Sequence, residues 1–257
     1  MLKASVWRWI SGVVLGALAG SGVAGELTGE VQWAQRIELG TPQSGIVVEV
    51  PVAAGELVKK GQLLVQLESR GLQARVRRAE AELAKARMER EEGQRELERA
   101  QELYERTLLS NHDLEQAKIA FAAVNSRYQA ANATQVEARL ELEQSSVKAP
   151  FDGVVLQRNV EVGQTVVSAL QSVPLITLAA THLMRVNVEA TQPQLERLKV
   201  KQKVEVIASD KRFRGAINFI GLEPLAGSGE PRYPVYVEFA TEGSTLRVGT
   251  GAKVITP

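Results

Sequence analysis

The 257-residue chain contains no cysteine, two histidines and 5% aromatic residues. Without cysteine there are no disulfides, no Cys-ligated zinc, no thiol nucleophile and no lipid anchor on an N-terminal Cys. His112 and His182 are too few for a histidine metal cluster. Charge of one sign is also lacking, because 31 Lys plus Arg balance 30 Asp plus Glu. A chain without a basic footprint is a poor match for nucleic acid. Long apolar runs are scarce too. One begins at Trp9 and ends near Ala19, about ten residues where a membrane span needs roughly 20. It follows Lys3 and Arg8 and precedes the small residues Gly20 to Gly25, so residues 1–25 read as an export signal. Cleavage after Ala24 or Gly25 is the favoured reading. The alternative is an uncleaved anchor, with Trp7 and Trp9 at a bilayer interface. Export places the mature chain outside the cytoplasm, in a periplasm.

What is present begins with an internal repeat. Pro42, Gly45, Val47, Val52, Gly55 and Val58 recur as Pro150, Gly153, Val155, Val160, Gly163 and Val166, all at an offset of 108. Each copy alternates short Val-rich strands with glycine turns at Gly45, Gly55 and Gly61, or at Pro150, Gly153 and Gly163. Each copy ends in an apolar strand, Leu63–Leu67 and Leu175–Leu178. A few short strands bury too little surface to stand alone. The two copies together close a small β-sandwich over 40–70 and 146–181.

Between the copies, residues 71–145 change period. Leu72, Val76, Ala79, Leu83, Ala86, Arg90, Gly93, Leu97, Ala100, Tyr104 and Thr107 step by four and three. Leu114, Ala117, Phe121, Val124, Tyr128, Ala131, Gln135, Ala138, Leu142 and Ser145 do the same. Large residues alternate with small ones, and a sustained seven-residue repeat predicts an antiparallel coiled-coil hairpin about 50 Å long at 1.5 Å per residue. The turn falls near Leu108, Leu109, Ser110 and Asn111, with Ser110 or Asp113 capping the returning helix. Leu108 and Leu109 either pack locally across the turn or form an exposed contact surface. After Thr181, short strands are expected at 183–190, 204–208, 213–220 and 233–239, with a helical piece near Pro193–Leu198 and a closing strand over Arg247–Val254. They suggest a small β-barrel over 26–39 and 182–257, to which Val31–Leu39 supplies an N-terminal strand. The fold class is therefore mixed α and β and multidomain: a split lipoyl-like sandwich carrying a helical hairpin, plus a barrel.

These features resemble the periplasmic adaptor proteins, or membrane fusion proteins, of bacterial tripartite efflux pumps. Ser44–Val50 with Gly55–Leu64 is similar to that family's first lipoyl half-motif, and Val147–Val155 to its second. Arg99, Leu103 and Ser110 have the spacing with which the family engages a TolC-like outer-membrane channel. The resemblance implies a non-catalytic adaptor without cofactor that links an inner-membrane RND transporter, or alternatively an ABC exporter (MacB-like), to that channel. It further implies a homo-oligomer of six copies, and a transporter-facing barrel where Arg212 and Arg214 offer contacts. The family's larger members continue into a membrane-proximal domain, which is expected to be absent or vestigial here. A lipoyl or biotinyl carrier is the remote alternative. It needs an exposed lysine on the turn joining the halves, where this chain has the hairpin, and Lys148 lies on an approach strand. The three methionines, Met1, Met88 and Met184, are too scattered for a soft-metal site.

Overall fold

The computed structural model describes residues 25–168, 174–226, 229–241, 243 and 246–257. The expected signal at 1–25 lies outside them except for Gly25, which opens a strand. Two compact units form, one from Gln32–Arg185 with a short segment near residue 240, the other from the remaining chain.

The first unit holds β2 (Arg36–Leu39), β3 (Gly45–Glu49), β4 (Leu57–Val58), β5 (Leu63–Leu67), β6 (Ser146–Lys148), β7 (Gly153–Arg158), β8 (Thr165–Val166) and β9 (Ile176–Ala180). They make two four-stranded sheets, β2-β9-β7-β4 and β6-β5-β3-β8. The repeat is visible as strand exchange between its copies. Gly45 opposes Val166 and Ile46 opposes Thr165, while Gly153 opposes Val58 and Val154 opposes Leu57. Each pair maps onto the other at the offset of 108. The loops obey the same relation. Val47 N–H donates to Gln164 O and Val155 N–H to Glu56 O; Gly55 N–H donates to Val155 O and Gly163 N–H to Val47 O. Gly55 and Gly163 adopt φ of +88° and +87°, a left-handed conformation that side chains disfavour. Val47, Val52 and Val58 are buried beside Val155, Val160 and Val166, with Leu64, Ile176 and Leu178 filling the space between the sheets.

Three sequence expectations need correction in these strands. Gly45 and Gly153 open strands rather than forming turns. The segment expected as one barrel strand, Val31–Leu39, is divided. Its second part is β2, which pairs with β9 in the sandwich at Ile37↔Leu178 and Leu39↔Ile176. The half-buried Ile37 and Leu39 pack on the sandwich core, and their alternation is the same whichever sheet they join. The closing barrel strand is displaced toward the C-terminus, because Arg247–Thr250 form a turn in which Gly249 has φ of +84°.

Helices α1 (Arg70–Glu105) and α2 (Asn111–Gln144) are inserted between β5 and β6. They run antiparallel, with Arg75 on Glu141, Glu80 on Arg139 and Arg90 on Asn125 across the pair. From Leu72 to Ala100 and from Leu114 to Ser145, every expected seam residue is buried or half-buried. A Cβ on Gly93 would sit 2.7 Å from Val124 Cγ2, so this glycine marks a close approach of the helices. The root is fastened by hydrogen bonds from Leu67 N–H to Ser145 O at 2.8 Å and from Thr41 Oγ1 to Gln144 O at 2.5 Å.

The second unit is a closed barrel of β1 (Gly25–Trp33), β10 (Leu183–Thr191), β13 (Arg232–Ala240), β12 (Lys211–Ile220), β11 (Lys203–Ala208) and β14 (Gly251–Thr256), in that order. Closure leaves no unpaired sheet edge. Val188, Val206, Val235, Val237 and Val254 are buried, with Phe213 and Phe239 at 5.1 Å between ring centres. The helical piece is a single turn, α3 (Gln192–Leu195), where Gln194 accepts the backbone N–H of Thr191.

Candidate functional site: the hairpin tip and its supports

The tip is built by two helix ends of opposite design. At the end of α1, Thr107 N–H donates to Tyr104 O and Leu108 N–H to Leu103 O, both at 2.9 Å. This is the paired-bond helix stop that ordinarily uses a left-handed glycine. Here the left-handed residue is Thr107, at φ +59°. A β-branched side chain in that region is strained. At the start of α2, Ser110 Oγ accepts the Asp113 N–H at 3.2 Å and donates to the Asp113 carboxylate at 2.7 Å. Asp113 also places negative charge on the helix N-terminus, where it is favoured.

The expected tip residues therefore divide by role. Leu108 is 71% exposed and Ser110 is exposed beside it, whereas Leu109 is half-buried. Local packing thus accounts for Leu109 and not for Leu108. Leu103 is half-buried while Tyr104 and Thr107 are exposed, which corrects the seam at its last turn: it shifts from Tyr104 to Leu103 where the helix stops. Arg99 is exposed and bound to Glu96 at 2.6 Å on its own helix, two turns and more below Ser110. The seven-residue period places Thr107 in the seam and not among the tip residues, whereas it is exposed and left-handed at the helix stop. Its signal was the absence of glycine at a turn that the period required.

The other candidate residues act in the sandwich and barrel. Asp152 accepts the Lys60 N–H at 2.7 Å and lies 3.5 Å from Lys59 Nζ, which ties the second repeat to the first. Ser44, its repeat counterpart, accepts the Ser168 N–H at 3.0 Å in the same way. The Lys60 N–H, and then the Lys59 charge, hold the Asp152 carboxyl below its ordinary range. At the hairpin root, hydrogen bonds from Arg70 lower the Glu68 pKa to about 2. Gly61 takes φ of +83° at the turn before β5, and Pro150 lies in the bend before β7. Lys148 is exposed at the end of β6, paired opposite Leu63, and not on a turn joining the repeats. On the barrel, Arg212 reaches Glu205 at 3.2 Å and Arg214 stands opposite Glu205 in the β11–β12 ladder. A bulge between Ile217 and Phe219 turns Phe219 outward against Tyr236, at 5.2 Å between rings. Strict alternation would have buried it. Among the described residues no His, Asp and Glu cluster suits a metal ion, and no helix is long and apolar enough to cross a membrane.

A sandwich made of two exchanged half-motifs, opened by a helical hairpin, defines the barrel-sandwich hybrid class. The chain belongs to the CzcB-like barrel-sandwich hybrid domain family, whose model matches residues 36–177. It is 28% identical over 244 residues to the macrolide export protein MacA of Yersinia pestis, covering 88% of this chain and 66% of that one. It is 28% identical over 226 residues to the nodulation protein NolF of Rhizobium meliloti (strain 1021), covering 87% of this chain and 60% of the relative. The chain thus spans less than two thirds of the length of these relatives. Its fold matches the membrane fusion protein Spr0693 of Streptococcus pneumoniae R6 with TM-score 0.67 and 20% identity, over 91% of this chain and 98% of that one. It also matches a MacA–MexA chimera that carries the Pseudomonas aeruginosa MexA hairpin, with TM-score 0.65 and 22% identity, over 91% and 78% of the two chains.

Proposed function

We propose that this chain is a non-catalytic periplasmic adaptor of an efflux system, exported by its N-terminal segment. It forms a homo-oligomeric ring, without chemistry of its own, that joins an inner-membrane transporter to a TolC-like outer-membrane channel. The observation that carries the proposal is the tip: an exposed leucine beside an exposed serine, on a strained turn, at the end of a hairpin inserted in a family-defining sandwich. Strain held at a surface turn is a mark of functional sites. Exposed apolar surface with no core nearby marks a contact. Arg99, Leu103, Leu108 and Ser110 supply the channel-facing side, with Leu109 supporting them from below. Gly45, Gly55, Gly61, Pro150, Gly153 and Gly163 shape the sandwich that carries the hairpin. The barrel offers Arg212, Arg214 and the Phe219–Tyr236 pair to the transporter.

The transporter is of RND type in the primary reading. An ABC-type partner is the second reading, favoured by the likeness to a macrolide export protein.

Leu108→Asp is the cleaner test of the tip, because Leu103 also packs within the hairpin. A single cysteine introduced by Ser110→Cys should cross-link to an outer-membrane channel in living cells, and Leu108→Asp should abolish that link while leaving helicity unchanged. An undiminished link in the Leu108→Asp protein overturns the tip assignment.

A further inference from the structure

One turn design recurs along the chain. In Ala53–Glu56, Lys59–Gln62, Glu161–Gln164 and Lys199–Gln202 the last residue donates its backbone N–H to the carbonyl of the first. Its side-chain oxygen accepts the N–H of the first in return. The third position of each turn is left-handed. It is Gly55, Gly61 and Gly163 in the first three, at φ from +83° to +88°. In the last it is Lys201, at φ +68°. Glycine takes this conformation freely and lysine does not. A strained lysine where the same chain elsewhere places glycine points to the side chain as the reason for keeping it.

That side chain belongs to a basic segment. Arg197, Lys199, Lys201 and Lys203 are all exposed, and no carboxylate lies between Arg197 and Lys203. None of the four is ion-paired with a described residue, whereas Arg212 and Lys253 of the same barrel are held by Glu205 and Glu26. Between the two turn lysines stands Val200, 53% exposed. An apolar side chain flanked by unpaired lysines fits the boundary between phospholipid headgroups and acyl chains. There the lysine stems lie along apolar surface and the ammonium groups meet phosphate. Glu196 precedes the segment, and Glu223 and Glu230 lie on the loop after β12, so the attraction is local to the turn.

The turn sits at the barrel end where the N-terminal segment arrives. Gly25 pairs with Thr256 there, and both line a cavity of about 250 Å³ together with Arg197 and Leu198. Lys201 N–H donates to Ile217 O, and β12 runs on from that point toward Leu222, which is 92% exposed. The apolar run Trp9–Ala19 thus leads, in sequence, into the end of the barrel that carries the free lysines and Leu222.

We propose that this end of the barrel docks on an anionic phospholipid surface. Val200 lies at the headgroup boundary, and Lys199 and Lys201, supported by Arg197 and Lys203, meet the phosphates. The contact requires neither the channel nor the transporter.

The test uses the absence of native cysteine. In the full chain, Val200→Cys takes an environment-sensitive dye at that site alone. The expected result is a blue shift and brighter emission on mixed phosphatidylglycerol–phosphatidylcholine vesicles, reversed by salt, and no change on phosphatidylcholine alone. A dye at Ser209→Cys, on the turn at the other end of β11, should report no change. Each dye reads its own surroundings, so the comparison holds even if the N-terminal segment anchors the chain. Lys201→Gly keeps the turn and removes one charge. It should raise the unfolding midpoint while weakening vesicle partition about five-fold. Lys199→Glu with Lys201→Glu should abolish the shift. Equal shifts on neutral and anionic vesicles, no shift at Val200→Cys, an equal shift at Ser209→Cys, or undiminished partition of Lys201→Gly overturns the proposal. A shift that appears with protein-bearing native membranes and not with vesicles also overturns it, and assigns the turn to a protein partner.

Discussion

Thr107 concentrates the residue-scale physics of this molecule. A left-handed residue with a side chain costs roughly 1–2 kcal/mol relative to glycine. Thr107→Gly should therefore stabilise the protein by about 1 kcal/mol in urea unfolding, because the helix stop at the tip is kept and the strain removed. Ser110→Ala should have the opposite sign, a loss of about 1 kcal/mol, because the Asp113 N–H loses its acceptor. Glu68 gives a pH signature. Its carboxyl is held at about 2 in the folded protein against an ordinary value of 4.5. A lowered folded pKa means that its contribution is present above the ordinary value and fades as pH falls toward about 2. Unfolding midpoints followed from neutral pH down to about 2 should fall less steeply in Glu68→Gln than in the parent.

Among the elements, the hairpin was the most legible in sequence and the strand pairing the least. The heptad positions from Leu72 to Ala100 follow from side-chain volume and period alone, and the structure buries or half-buries each of them. The period could not register where the helix would stop, so the shift from Tyr104 to Leu103 was invisible. The offset of 108 announced two equivalent halves, but not that each half completes the other's sheet. Pairing between distant strands depends on register across the sandwich, which a local Val-Gly pattern does not encode. The same ambiguity sent Ile37 and Leu39 to the wrong sheet, since an alternating strand does not name its partner. Phe219 escaped for a different reason: a one-residue bulge reverses the face of everything beyond it. For the hairpin itself, Gly93→Val should destabilise by about 1–3 kcal/mol, measured by urea unfolding, because no room exists against Val124.

For the whole molecule, the insertion point of the hairpin has the widest reach. Its two roots are hydrogen-bonded to each other through Leu67 and Ser145, so the sandwich meets the hairpin as it would meet a short loop between neighbouring strands. Removing one heptad from each helix at matched heights shortens the rod by about 10 Å and leaves both roots and the core untouched. Such a variant should fold, with the melting behaviour of its sandwich preserved, and should lose the Ser110→Cys link to the channel. Length in this chain is accordingly an inheritable dial. Lineages can lengthen or trim the gap that the protein spans, heptad by heptad, without renegotiating the fold that carries it.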